Sequence, residues 1–139
     1  MKGSEFLTKD ASHNDIFTYE DFNEEQKMMY SATKEFVEKE VLSNIDKIEK
    51  QDGDIVPDTL KKAGNLGLLG ISIPEEFGGL GMSFNTSMLI ADIIGVAGSF
   101  GTTFGAHTGI GTLPILYYGT DKQKEKYIPG LSIGKLIGC

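Results

Sequence analysis

Residues 23–51 read NEEQKMMYSATKEFVEKEVLSNIDKIEKQ, and the spacing of apolar residues along this stretch decides the fold class. Met29, Ala32, Phe36, Val41, Ile45 and Ile48 recur at helical intervals, not at the strict alternation of a strand. Asn23 followed by Gln26 matches a capping box, in which each side chain satisfies a backbone N–H of the other. Glu35 with Lys39 and Asp46 with Lys50 place opposite charges one turn apart on the outer face. Asp52, Gly53 and Asp54 then break the pattern. One long amphipathic helix, from about Asn23 to Gln51, is predicted.

The same reasoning extends outward. Pro57 suits the first turn of a second helix with Leu60 and Ala63 on its apolar side, and Gly67 suits a left-handed closing residue. From Leu68 to Met82, Pro74 and the glycines at 70, 78, 79 and 81 predict an extended loop. Ser83 or Asn85 caps a third helix through Met88, Ile90, Ile93, Ile94 and Val96, closing at Gly95 to Gly98. A fourth runs from Ser99 to Tyr118. Thr120 with Gln123 forms a second capping box, with Asp121 at the positive end of the dipole, for a fifth helix ending at Pro129 and Gly130. No segment with strand period is long enough to build a sheet, so the expected fold is all-α, a bundle of about five helices. Residues 1–17 read as a polar tail, 18–134 as the helical domain, and 135–139 as the first positions of a strand leading into a β domain that is missing.

Composition narrows the function classes. The chain has 139 residues, a formal charge of -7 and a pI near 4.8, enough for one domain with its own core. No basic run exists to engage phosphates, which argues against nucleic acid. The lone cysteine, Cys139, permits neither an internal disulfide nor a thiolate metal cluster and fits a reducing cytoplasm. The first residues lack the apolar core of a signal peptide. The charge-free stretch between Asp92 and Asp121 is long enough to span a membrane, but His107, Pro114 and its glycines point to buried helices of a globular core.

Candidate chemistry is sparse. His13 lies in the tail, and His107 has no acid nearer in sequence than Asp92 or Asp121, so a core or pocket-wall histidine is favoured over a general base. Gly109-Ile110-Gly111 and Gly78-Gly79-Leu80-Gly81 superficially match phosphate loops, yet neither follows a strand nor carries the remaining motif residues. Ala97, Gly101, Gly105 and Gly109 form a row of small residues one turn apart. That row fits equally a closely packed neighbouring helix and a groove wall open to a slender apolar ligand.

Several longer segments resemble the acyl-CoA dehydrogenase family. They are Glu35-Phe36-Val37 with Glu38-Lys39-Glu40-Val41, Lys61-Lys62-Ala63-Gly64 with Leu66-Gly67-Leu68-Leu69-Gly70, and Ile73-Pro74-Glu75-Glu76-Phe77-Gly78-Gly79-Leu80-Gly81. Tyr118-Gly119-Thr120 with Gln123-Lys124-Glu125-Lys126-Tyr127-Ile128-Pro129 adds to them. The resemblance runs from about Phe17 to Cys139. Gly105-Ala106-His107-Thr108-Gly109-Ile110-Gly111 and the tail segment Gly3-Ser4-Glu5-Phe6-Leu7 are similar to the long-chain and very-long-chain branch. The resemblance implies an FAD enzyme that oxidises fatty acyl-CoA to the trans-2-enoyl thioester, a glutamate removing the alpha proton and an electron-transfer flavoprotein receiving the electrons. It also implies a homo-oligomer, with Gly101, Thr102, Gly105, Ala106, Gly109 and Ile110 lining the acyl pocket. Family members continue past the segment like Gly134 to Cys139 into a strand that touches the flavin and then to the domain bearing the catalytic base. No catalytic, cofactor-binding or metal-binding residue is therefore expected within this chain, and by itself it is expected to be inactive. The alternative is a stand-alone helical interaction domain without catalysis; a reading frame that continues into the flavin-contacting strand would decide for the enzyme.

Overall fold

The computed structural model describes residues 4–138, apart from the Phe6 side chain; Gly3 and the thiol of Cys139 lie outside the described residues. The described residues form helices and turns, and no strand occurs among them. Helix α1 (Glu24–Phe36) opens with the predicted capping box: Gln26 N–H donates to Asn23 Oδ1 at 2.9 Å, and Asn23 N–H donates to Gln26 Oε1 at 3.0 Å. It continues through a π-helical turn (Val37–Val41) and a 3-10 turn (Leu42–Asn44) into α2 (Ile45–Glu49).

The predicted single helix is thus a rod with a widened turn, and the cause is visible in its apolar spacing. Phe36 to Val41 is a step of five residues, which an unbroken α-helix would rotate away from the core. The π turn absorbs the extra residue, so that Phe36, Val41 and Ile48 are all buried. The Ser43 hydroxyl donating to Lys39 C=O, and Asn44 Nδ2 donating to Glu40 C=O at 3.1 Å, take up carbonyls in the disturbed region. Ala32 is exposed; its expected core position is taken by Thr33, whose hydroxyl donates to Met29 C=O at 2.7 Å and so enters the core without an unpaired group. The Glu35–Lys39 ion pair forms on the exposed face.

Helix α3 (Ile55–Asn65) carries Pro57 in its first turn and buries Leu60 and Ala63. Gly67 follows with φ +78°, the left-handed conformation that a Cβ disfavours. The stretch expected to be an extended loop holds two short 3-10 turns, Leu68–Gly70 and Glu75–Phe77. Leu68, Leu69, Ile71 and Ile73 point into the protein, so this connection is core material. Helix α4 (Phe84–Ile94) starts at Ser83 as its N-cap and buries Ile90, Ile93 and Ile94, while Met88 and Val96 face outward.

The expected fourth helix is two helices, α5 (Gly98–Thr108) and α6 (Leu113–Tyr118). Gly109 leaves helical geometry with φ -92° and ψ -97°, and Pro114 then sits in the first turn of α6, where its missing N–H costs nothing. Helix α7 (Asp121–Ser132) begins with the predicted Thr120–Gln123 box but runs through Pro129. The final turn of the helix therefore tolerates the proline at which the sequence predicts its end.

A main core gathers Phe36, Val41, Leu60, Leu68, Ile90 and Phe100 with their neighbours, and a smaller one gathers Ile73, Leu116, Ile128 and Leu131. Each such side chain, fully buried, stabilises the fold by about 1.5–3 kcal/mol. Residues 135–136 form a bend and 137–138 have no regular secondary structure; Leu136 N–H donates to Gly130 C=O at 2.9 Å.

Candidate functional site

Helix α5 is fixed at its start by a carboxylate from another helix. Glu49 Oε1, at the end of α2, accepts from Ser99 N–H at 2.9 Å, placing negative charge at the positive end of the α5 dipole. Gly98 has φ +56°, and a Cβ there would come within 2.6 Å of that same oxygen. Phe100 anchors the next turn against Phe36, ring centroids 6.1 Å apart.

So positioned, α5 forms the floor of an apolar groove of about 500 Å³. Helix α4 supplies one wall through Phe84, Met88, Ala91 and Ile94; Leu68, Leu69 and Ile71 supply another; Leu113 and Tyr117 of α6 close one end. Gly101, Gly105 and Gly109 lie on the floor. The small-residue row is packed at one position and open at another. A Cβ on Gly101 would stand 2.9 Å from the Ile94 carbonyl oxygen, the signature of close packing between α4 and α5, whereas a Cβ on Gly105 would meet nothing within 4 Å. Ala97 is fully buried.

The other three residues singled out in the sequence do not line this groove. Thr102 and Ile110 are exposed and Ala106 is half-buried, on a neighbouring face of α5 and its C-terminal turn. Most of the wall residues, Leu68, Leu69, Ile71, Phe84 and Met88 among them, were not legible as site residues, because no local spacing ties the connection after α3 to the face of α5. Within the wall, Ser87 Oγ is the one buried side-chain polar atom among the described residues without a hydrogen-bond partner.

His107 faces the opposite side and is fully buried. Its Nε2 lies 3.0 Å from Leu131 C=O, and its Nδ1 accepts from Gly138 N–H at 3.1 Å. These partners require the neutral ring with the proton on Nε2, and burial pushes its pKa below the usual histidine value. His107 is a satisfied core histidine that ties α5, α7 and the C-terminal segment together. In the glycine-rich turn at 78–81 the N–H groups are already taken. The N–H groups of Gly78, Gly79, Leu80 and Gly81 donate to the carbonyls of Glu75, Pro74, Gly70 and Ile73, which leaves no cradle for a phosphate. No group of three or more metal-ligating side chains occurs among the described residues, and none of their helices is long and apolar enough to cross a membrane.

Residues 23–135 match the family described as Acyl-CoA dehydrogenase, N-terminal domain. The chain belongs to that family. A probable acyl-CoA dehydrogenase of Bacillus subtilis is 46% identical over all 139 residues, which make up 23% of that protein. The crystal structure of an acyl-CoA dehydrogenase complexed with FAD from Bacillus anthracis shares 43% identity and a TM-score of 0.92, covering 99% of this chain and 24% of that one. The mitochondrial isovaleryl-CoA dehydrogenase of Bos taurus is 34% identical over 119 residues, 84% of this chain and 28% of that protein. The chain thus spans about a quarter of the length of these acyl-CoA dehydrogenase relatives. Their names cover different acyl groups, so family membership leaves chain length open.

Proposed function

We propose that this chain is the helical domain of an FAD-dependent acyl-CoA dehydrogenase, in which it forms a wall of the pocket for a long fatty acyl tail. The product is the trans-2-enoyl thioester, an electron-transfer flavoprotein receives the electrons, and the complete enzyme works as a homo-oligomer in the cytoplasm. The observation that carries the reading is the apolar groove with the backbone of Gly105 open on its floor. Absent side chains leave room for extra methylenes, each worth roughly 0.8 kcal/mol when buried. Several carbons therefore change binding by orders of magnitude, while one carbon does little.

Gly101, Gly105 and Gly109 serve the tail from the groove side; Thr102, Ala106 and Ile110 serve it from the adjacent face, against the parts of the enzyme that follow residue 139. The flavin is held by those later parts, as the family resemblance implies. A β domain begins at about residue 135.

Substitution in the complete enzyme tests this. Gly105→Gln or Ala106→Glu should depress kcat/KM on a sixteen-carbon substrate at least about tenfold more than on a four-carbon one, because a polar side chain then occupies an apolar slot. Equal loss on both substrates would mean damage to folding and would overturn the assignment of α5 to the pocket.

A further inference from the structure

Asp52 is the one Asp or Asn of the chain that is followed by glycine. It lies in the short connection between α2 and α3, directly after Gln51, which has φ +52° and is the one non-glycine among the described residues in the left-handed region. Gln51 N–H donates to Ile48 C=O and Asp52 N–H to Lys47 C=O, both at 3.0 Å, the paired bonds that close a helix behind a left-handed residue. Two residues on, Asp54 C=O accepts from Asp58 N–H at 2.9 Å and opens α3. Gly53 stands between these closures and belongs to neither. Among the described residues, its N–H finds no acceptor and the Asp52 carboxylate finds no hydrogen-bond or ion-pair partner, and both residues are exposed. A Cβ at Gly53 would meet nothing within 4 Å, so the space around its nitrogen is open.

Other acids and amides of the chain lack this combination. The carboxylates of Asp15 and Asp21 accept from Ser12 N–H and Thr18 N–H. Asp58 and Asp92 lie within helices, where the next N–H is committed to the ladder. Asp54 and Asn85 precede Ile55 and Thr86, whose branched Cβ crowds the following nitrogen. We propose that Asp52-Gly53 is a site of spontaneous covalent modification, at which the aspartate becomes isoaspartate through a cyclic imide. The Gly53 nitrogen attacks Cγ of the Asp52 carboxylic acid. As the N–Cγ bond forms, a Cγ–O bond breaks, and the amide hydrogen leaves with the hydroxyl as water. Water then adds back to the five-membered imide. Opening at Cγ restores aspartate, whereas opening at the Asp52 main-chain carbonyl leaves the chain running through Cβ and Cγ, with the mass unchanged. The Asp52 carbonyl, which accepts from Ile55 N–H at 3.4 Å, becomes a free carboxylate, and one extra carbon enters the backbone between α2 and α3. The proposal is independent of the acyl-pocket reading, which concerns α4 and α5.

The test incubates the complete, folded polypeptide for several weeks at neutral pH and physiological temperature in water enriched in a heavy oxygen isotope. Isoaspartate is then mapped by electron-transfer fragmentation of its peptides, which distinguishes the two linkages. Expected is isoaspartate at position 52 carrying a heavy oxygen, at least about tenfold above the level at any other Asp or Asn, because here the attacking nitrogen belongs to a residue without a Cβ. An Asp52→Glu variant keeps the charge but would have to close a six-membered ring. It should show no altered linkage at that position while the other positions age as in the wild type. Isoaspartate at position 52 no more abundant than at Asp10 or Asp54 would overturn the proposal, and so would its formation without uptake of heavy oxygen.

Discussion

His107 shows how one side chain can be indispensable without being catalytic. Its ring accepts from Gly138 N–H and lies against Leu131 C=O in a fully buried site. A proton on Nδ1 would face an N–H with another N–H. Because burial lowers the folded-state pKa, the unfolded chain binds this proton more readily. Stability is thus complete above about pH 6.5, the usual histidine value, and falls as pH drops below it until the folded-state pKa is passed. Urea unfolding at pH 7.5 and 5.5 should show a larger acid-induced loss for the wild type than for His107→Gln; equal losses would mean that His107 titrates as if exposed. Cutting the ring back to His107→Ala should cost about 1–3 kcal/mol at neutral pH, because Gly138 N–H loses its partner, whereas Leu131 C=O keeps Gly134 N–H.

Within α5, two glycines on the same face answer to opposite constraints. Gly105 has open space where a Cβ would go, so Gly105→Ala should raise stability by about 0.5–1 kcal/mol through helix propensity. At Gly101 the Cβ would press on the Ile94 carbonyl, and Gly101→Ala should lower stability by about 1–3 kcal/mol as α4 is forced away. Thermal melts of the two variants decide it; shifts of the same sign would mean that the α4–α5 packing described here is wrong. The end of α5 carries a related lesson. The sequence from Ser99 to Tyr118 has one continuous apolar character, but Gly109 breaks the helix because a turn there lets Thr112 donate to His107 C=O at 2.7 Å and start α6 beside α7. The π turn in the first helix is the converse case. Its signal, the five-residue step from Phe36 to Val41, was present in the sequence, and without a partner surface there was no reason to prefer a widened turn to a lapse in amphipathicity.

For the whole molecule, the open groove and the exposed Phe84, Ile110, Tyr117 and Tyr118 leave apolar surface of the kind that favours self-association. Helix α5 contributes to this because it carries no charged residue from end to end. The 139-residue chain prepared alone should therefore self-associate, bind dyes that report apolar surface, and show neither flavin absorbance nor acyl-CoA-dependent dye reduction. Light scattering with a clean monomer at high concentration would count against the exposed face, and stoichiometric retained FAD would refute the placement of the cofactor beyond residue 139.

What the sequence by itself determined were the features that depend on neighbours within a turn or two: the capping boxes at Asn23 and Thr120, the left-handed Gly67, and the all-helical class. The segment-by-segment resemblance belongs with them, because a family signature is written in residue order. The tertiary structure alone decided which side of α5 faces the groove, that Leu68 to Ile73 are core, and that His107 holds α7 and the C-terminal segment. Each of these depends on contacts between residues far apart in the chain. Whether the backbone at a glycine is packed, as at Gly101, or open, as at Gly105, is set by what another element places within 4 Å, and the spacing of small residues along one helix carries no record of that.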